Sequence, residues 1–368
     1  MSDDREGEQR VIVKCLVWDL DNTLWRGTLA EGDDVVVPEG IRRVITELDA
    51  RGVLQSVASK NDHDLAWARL EQLGLAEYFV LPRIGWGPKS ASVRAIAERL
   101  NFAESAIAFV DDQPAERAEV AFHLPEVRCY PAEQAADLAA LAEFTPPVIT
   151  EDSARRRTMY QAGFRRDAER DEFTGPDEDF LRTLDLRMTI VRATERELAR
   201  AAELTLRTSQ MNATGVPYDD ADLRDLMADP EHEVLVVGMS DRFGPHGAVG
   251  IVLLHRTPDV WHLKLLATSC RVVAFGAGST LLNWVVDRAA RAGVHLAADF
   301  RPTSRNRMMD IAYRFAGFDD EDCGCLAALG LPAADGVARL HLLPEPRPLS
   351  AVVALDAVDL AAAGVNRG

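Results

Sequence analysis

Two regions of the chain differ in how apolar positions are spaced. From residue 11 to about 147, short apolar runs alternate with amphipathic stretches. VIVKCLVWDL, VLQSVASKND and AIAFVDD read as buried strands running into polar ends. Between and after them, GIRRVITELDARG, DLAWARLEQLGL and KSASVRAIAERLNF read as helices; in the first, Ile41, Val44, Ile45 and Leu48 repeat at helical spacing. Strands alternating with helices predict an α/β domain with a parallel sheet covered on both faces, and functional groups beyond the carboxyl ends of its strands.

Pro146 and Pro147 break this pattern, and a charged helical stretch follows. From Leu184 the alternation restarts in a different order. LDLRMTIVRAT is a strand, ERELARAAELTLRTSQ a helix, and HEVLVVGMSDRFGPHGAVGIVLLHRT a hairpin of two strands. DVWHLKLLATSC is a further strand, GAGSTLLNWVVDRAARAG a glycine-rich turn opening a helix, VHLAADF a strand and NRMMDIAYRFAGF a helix. The expected organisation is a polar tail at 1–10, a first domain at 11–147, a helical linker at 148–183, a second, mixed α/β domain at 184–345 and a tail at 346–368. The stretch from about Gly330 has the composition to add a strand to the second domain.

Composition narrows the function classes. The 368 residues are 47% hydrophobic and 27% charged, as in ordinary globular proteins. The net charge of −18 repels nucleic acid, and no basic stripe reverses it. Arg155, Arg156, Arg157, Arg165 and Arg166 read either as a solvated helix face or as a local basic patch for an acidic partner. No apolar run approaches the ~20 residues of a membrane span. The polar start, MSDDREGEQR, argues against a secretory signal, so the expected setting is cytoplasmic. The five cysteines fit no disulfide framework. Cys15 reads as core and Cys129 as filler, and the Cys323–Cys325 pair has neither a second pair nor a nearby histidine to complete a metal site.

The chemistry sits at the strand ends. The first strand delivers Asp19 and Asp21, the second Ser59, Lys60 and Asn61, and a later one Asp111 and Asp112; Lys89 opens a helix after GWGPK. Carboxylates converging at one sheet edge repel each other without a cation, and hard oxygen donors suit Mg²⁺. A lysine with serine and asparagine beside them suits a phosphoryl group.

D-x-D-N-T after a strand, then Ser, then Lys, then D-D, in this order, resembles the haloacid dehalogenase superfamily. The resemblance implies that Asp19 attacks phosphorus and binds magnesium, and that Asp21 acts as general acid/base and offers its backbone carbonyl to the metal. It also implies that Asn22, Thr23, Ser59, Lys60, Asn61 and Lys89 surround the phosphoryl group, and that Asp111 and Asp112 complete the metal site. The gaps between motifs leave no room for an inserted cap domain, so the rest of the chain is expected to cover the site, with Trp25 and Arg26 facing it.

The second half resembles the GCN5-related N-acetyltransferase fold, with RVVAFGAG (Arg271 to Gly278) in place of the loop that binds the pyrophosphate of coenzyme A. A phosphopantetheine arm is an alternative occupant. Cys270 closes the strand before that loop; beside a helix N-terminus and Arg271 its thiolate is a candidate acyl acceptor.

Together the halves resemble the FkbH-like glyceryltransferase/phosphatases. The resemblance rests on KCLVWDLDNTLWRGTLAEGD, ASKND, FVDDQPAER, LTLRTSQMN, DRFG, SCRV, RPTSRN and YRFAGF. It implies transfer of a glyceryl unit from 1,3-bisphosphoglycerate, with dephosphorylation, to an acyl carrier protein for polyketide synthesis. Arg207, Gln210 and Asn212 are then candidate contacts to glyceryl hydroxyls or phosphate or, equally, structural helix-end residues, and Arg301, Thr303, Arg305 and Asn306 are candidate contacts to phosphate or the carrier. Asp241 and His246 are candidate bases for the thiol or ordinary turn residues. The alternatives are a magnesium phosphatase whose second domain docks a carrier, an acetyl-CoA-dependent transferase and a catalytically dead scaffold.

Overall fold

The computed structural model describes residues 11–146, 149–207, 211–303, 306–320, 323–329 and 336–360, apart from the side chains of Glu151, Arg207, Cys270 and Ala328. The chain divides into two compact units, Met1–Phe164 and Arg165–Gly368.

The first unit opens with β1 (Cys15–Trp18), α1 (Glu39–Ala50), β2 (Leu54–Ser59), α2 (His63–Gln72) and β3 (Arg83–Ile84). It continues with α3 (Lys89–Leu100), β4 (Ile107–Asp111), α4 (Pro114–His123), β5 (Arg128–Pro131) and α5 (Glu151–Ala154). Helix α6 (Arg156–Glu172) spans the boundary between the units. The sheet runs β3-β2-β1-β4-β5 and is parallel throughout. Every residue of β1 is buried because both faces of the sheet are covered. Leu16 and Trp18 join a cluster with Ile41, Ile45 and Leu48 of α1; Cys15 and Val17 join another with Val93 and Ile96 of α3 and Val120 of α4. The alternation of side chains along one strand thus feeds two cores.

No domain is inserted between β1 and α3 among the described residues. The span from β1 to α1 holds a single 3₁₀ turn, Leu29–Glu31. Trp25 departs from its expected outward role: it is 1% exposed and packed in the core of its own unit. Its indole follows a turn in which Leu20 O accepts from the N–H groups of Thr23, Leu24 and Trp25, which folds the segment back onto the sheet. The arginine cluster is also not one surface. Arg157 is ion-paired with Asp49 at 2.9 Å, and Arg156 donates to Gly52 O at 3.0 Å, so these two tie α6 to the first unit's own surface.

The second unit adds α7 (Asp177–Thr183), β6 (Arg187–Arg192), α8 (Leu198–Arg207), α9 (Asp220–Ala228), β7 (His232–Asp241) and β8 (Gly244–Arg256). It ends with β9 (Val260–Thr268), α10 (Ala277–Ala292), β10 (His295–Phe300), α11 (Arg307–Phe315), β11 (Ala338–Leu342) and β12 (Ala354–Ala357). Its sheet runs β11-β10-β9-β8-β7-β6-β12 and is mixed: β9 with β10 and β6 with β12 are parallel, the rest antiparallel. The segment read as a tail therefore supplies an edge strand. The hairpin of β7 and β8 forms as the alternation predicts, turning between Asp241 and Gly244.

Two details shape the centre of this sheet. The register of β9 with β10 runs from Val260↔His295 to Leu263↔Ala298. Beyond it, residues 211–213 hydrogen-bond to β9 and to the residue that follows β10: Ala213 N donates to Leu266 O at 3.1 Å, and Arg301 N donates to Ala213 O at 3.0 Å. Gly278, in the first turn of α10, allows this close approach, since a Cβ there would stand 3.1 Å from Met211 Cε. No helix of the described residues is long and apolar enough to cross a membrane.

Candidate active site

The carboxyl edge of the parallel sheet collects the residues that the strand ends predict. Asp19 follows β1 directly, held in line by its N–H donating to Val110 O at 3.0 Å. Asp111 is the last residue of β4, Ser59 the last of β2, and Lys89 the first of α3. Lys89 lies between two buried carboxylates: its Nζ donates to Asp19 Oδ1 and, at 2.8 Å, to Asp111 Oδ2. The three residues are 4%, 5% and 0% exposed, so this is an interior charge cluster and not a surface ion pair.

Hydrogen bonds fix the loops around it. The Thr23 hydroxyl donates to Asp19 Oδ2 at 3.3 Å and accepts from Asp112 N at 2.9 Å, joining the loop after β1 to the loop after β4. Asp111 Oδ1 accepts from Gln113 N at 2.7 Å. Asp21 is oriented separately: Oδ1 accepts from Trp25 Nε1 at 2.8 Å and Leu29 N at 3.1 Å, and Oδ2 from Asn61 Nδ2 at 2.9 Å.

Burial pushes the Asp19 carboxyl up to about 6, against the pull of Lys89 and with the repulsion of Asp111. Lys89 is held above its ordinary value because the two carboxylates outweigh its own burial. Burial, then Asp111, raises Asp112.

A stability consequence follows for Asp19. Between pH 4 and about 6 the folded protein binds more protons than the unfolded chain, so stability falls as pH rises through that window. Urea titrations of metal-free protein should show this decline. It should be absent in Asp19→Asn, whereas parallel pH profiles would contradict the assignment.

The donor set fits a hard divalent cation. One carboxylate oxygen each from Asp19, Asp111 and Asp112 lies within 4.8 Å of the others. Asp112 Oδ1 and Asn61 Oδ1 are buried with no partner among the described residues. The Asp21 carboxylate stands outside this cluster, its oxygens spent on Trp25, Leu29 and Asn61. Its expected contribution to a metal is through the backbone carbonyl. Lys60 is exposed and paired with Glu116 at 2.7 Å. Asn22 is an exposed turn residue with a φ of 54°, its Oδ1 accepting from Gly27 N.

In the second unit, the expected substrate residues mostly organise loops. Asn212 Nδ2 donates to Thr205 O, and its Oδ1 accepts from Thr214 N and Gly215 N. Asn306, 1% exposed, donates to Asn212 O and Arg301 O, and exchanges bonds with Thr303. Arg301 Nε donates to Thr214 O at 2.8 Å. Gln210 and Arg305, with the side chains of Arg207 and Cys270, lie outside the described residues.

The backbone of Cys270 does not close β9. It begins a 3₁₀ segment, Cys270–Phe275, capped by the Ser269 hydroxyl and ended by Gly276 at a φ of 68°. The expected glycine-rich loop is therefore a helical turn, because Val272 is buried while Val273 and Phe275 pack against the same core.

A residue that the sequence offers as part of a solvated helix face or a basic patch is instead buried in an ion-paired cluster. Arg166, 8% exposed, donates through Nε to Asp241 Oδ2, and its Nη2 stands 3.2 Å from His246 Nε2. His246 and Arg166 bonds hold the Asp241 carboxyl well below the usual carboxylate range, which makes it a poor base for a thiol. A charged residue on a helix announces nothing of this in sequence; the partner lies 75 positions away.

No curated protein matches the chain. Among solved structures, a Bacteroides fragilis protein whose N-terminal part contains a phosphatase domain, crystallised with Mg, is 28% identical over 37% of this chain and 41% of its own, with a TM-score of 0.32. The ribosomal-protein-S18-alanine N-acetyltransferase of Escherichia coli is 18% identical over 44% of this chain and 96% of its own, with a TM-score of 0.32. Tetrahymena GCN5 is 14% identical over 44% and 98%, with a TM-score of 0.33. Residues 26–121, within the parallel-sheet unit, match the family model for haloacid dehalogenase-like hydrolase.

Proposed function

We propose that the protein is a magnesium-dependent enzyme of phosphoryl chemistry, and that it moves a glyceryl unit from 1,3-bisphosphoglycerate to an acyl carrier protein with loss of phosphate. One observation carries the phosphoryl half: Lys89 is held between Asp19 and Asp111, beside the unpartnered buried oxygen of Asp112. In this reading Asp19 is the nucleophile toward phosphorus. Asp21, oriented by Trp25 and Asn61, gives and takes the proton of the leaving and attacking oxygens. Ser59 and Lys89 bind the phosphoryl oxygens. Magnesium held by Asp19, Asp111 and Asp112 would neutralise the charge of the phosphoryl group.

The acyl half rests on the FkbH-like motifs and on Cys270. Its thiolate would attack the acyl carbon and expel the 1-phosphate, and the site at Asp19, Asp21 and Asp111 would hydrolyse the 3-phosphate, so that a glyceryl thioester results. Its acyl group then passes to the phosphopantetheine thiol of the carrier, which frees the Cys270 thiol. A second reading is a phosphatase whose second unit only docks a carrier. It draws on one feature: N–H groups at the start and end of the 3₁₀ segment are spent internally, Val272 N on Ser269 O and Gly276 N on Val273 O, and so are not offered to the pyrophosphate of coenzyme A.

Intact-mass measurement separates the two readings. With 1,3-bisphosphoglycerate and Mg²⁺, the protein should gain the mass of one glyceryl group, and Cys270→Ala should abolish that gain. Asp19→Asn should lower phosphate release by roughly 10²–10⁴-fold, the scale of losing a positioned catalytic group. An adduct retained in Cys270→Ala would sink the assignment of Cys270 as nucleophile, whereas no adduct in the wild type would leave the second reading standing.

A further inference from the structure

The C-x-C pair has histidine partners that sequence distance conceals. Antiparallel pairing of β10 with β11 sets His341 opposite Ala297, which places it diagonal to His295 on the same face. His295 Nδ1 and His341 Nε2 are 2.9 Å apart. The chain beyond α11 is pinned to the same point: Asp319 N donates to His341 O and His341 N to Asp319 O, both at 2.9 Å. Shortly afterwards Cys323 brings its Sγ to 3.5 Å from His295 Nδ1. The 3₁₀ segment Gly324–Leu329 then carries Cys325, which packs with Leu326 and Leu329 against Val260 and Ala297. One donor atom from each of His295, Cys323, Cys325 and His341 lies within 4.8 Å of the others. The sequence expectation that no histidine completes this pair is therefore corrected.

We propose that these four side chains form a closed zinc site, separate from the magnesium and acyl chemistry proposed above. Two imidazole nitrogens and two thiolates are a tetrahedral zinc set, with bonds of about 2.0–2.1 Å to nitrogen and about 2.3 Å to sulfur. Those bonds imply donor–donor edges of about 3.3–3.8 Å. The 3.5 Å sulfur–nitrogen distance already matches, and the two imidazoles need to part by a few tenths of an ångström. Soft sulfur donors select zinc over magnesium. On binding, each thiol releases one proton to solvent, the imidazoles stay neutral, and two thiolates balance the dication. With all four positions filled by protein, the site is structural and leaves no place for substrate. Its role is to fasten the Cys323–Leu329 segment to the β10–β11 edge, where the apolar anchor is small.

The test uses the full chain, purified with reduced thiols and freed of loosely bound metal. Elemental analysis should find one zinc per chain. Replacement by cobalt should give thiolate-to-metal charge-transfer bands and the intense visible bands of tetrahedral cobalt. Both signals should be lost in Cys323→Ser/Cys325→Ser and in His341→Gln. The wild-type spectra need no variant, so a variant that fails to fold does not rescue or sink the idea. Substoichiometric zinc in the reduced wild type would overturn it, as would a cobalt spectrum without thiolate bands. So would a mass lighter by two hydrogens, marking a Cys323–Cys325 disulfide. None of these readouts uses phosphate release or acyl transfer, so their failure is distinct from failure of the proposed activity.

Discussion

Lys89→Met should both unfold the first unit more easily and abolish phosphate release. The replacement keeps the length and apolar character of the stem but removes the cation seated between Asp19 and Asp111. Their side chains are 7% and 1% exposed, so neither carboxylate can turn to bulk water for compensation. Breaking a buried pair by removing one partner costs ~3–5 kcal/mol, a large share of a domain's total stability. Part of this is recoverable by protonation. Without Lys89 the Asp19 carboxyl rises beyond about 6, so the variant should approach wild type in acid and fall further behind as pH rises through neutrality. Millimolar Mg²⁺ should raise the urea midpoint of the variant more than that of wild type, because a dication replaces the missing charge and ligand binding to the folded state stabilises it. Unfolding free energies equal within ~0.5 kcal/mol, or no differential effect of Mg²⁺, would show that the cluster is not the interior electrostatic unit described above.

The second large effect is expected at Arg166→Leu. Asp241 has a side chain 0% exposed and depends on Arg166 and His246 for its charge, while Phe243 N and Gly244 N bind its other oxygen. The guanidinium also lies 5.3 Å from the centre of the Phe275 ring and 5.8 Å from that of Phe243. Leucine would keep much of the apolar contact and lose the charge, again a cost of ~3–5 kcal/mol. The sign with pH is opposite to that of Asp19. A carboxyl held below its ordinary value stabilises the fold above the unfolded pKa of ~3.9, and that contribution fades as pH falls through the lowered folded value. Wild type and variant should therefore converge in strong acid. Adding Asp241→Asn to Arg166→Leu should recover part of the loss, since the remaining buried group is then neutral. If the double variant is no more stable than the single one, the bare charge is not the cause.

The two halves of the chain were unequally legible. Lys89 opens α3 and is legible through the order of the motifs, but Asp19 and Asp111 could be read because a parallel sheet brings the carboxyl ends of its strands to one edge, whatever the loop lengths. Position along the strand was enough. The finer roles were not available. Trp25 looked like an outward residue until the turn at Leu20 carried it inward, and Lys60 looked like Asn61 until Glu116 claimed it. In the second unit, the glycines of Arg271–Gly278 pointed to a loop, but the apolar residues of Cys270–Phe275 pack on the core and wind that segment into a 3₁₀ turn. His295 and His341 are 46 positions apart, and their meeting depends on the register of two antiparallel strands, which no local pattern encodes.

The pairing of β12 with β6 bears on how the second unit is made. β6 begins the sheet, and its outer neighbour is the last strand described. At ribosomal rates of ~5–20 residues per second, on the order of ten seconds pass between emergence of the two. During that interval β7 can close one side of β6 while the other stays open to any passing strand. Positive charge along an open edge guards against edge-to-edge association. Arg192 does not guard that side, since its guanidinium is paired with Glu233 of β7 at 2.7 Å, which leaves the exposed Arg187 as the charged residue at the other end of β6. The edge of β6 is thus completed only when β12 arrives.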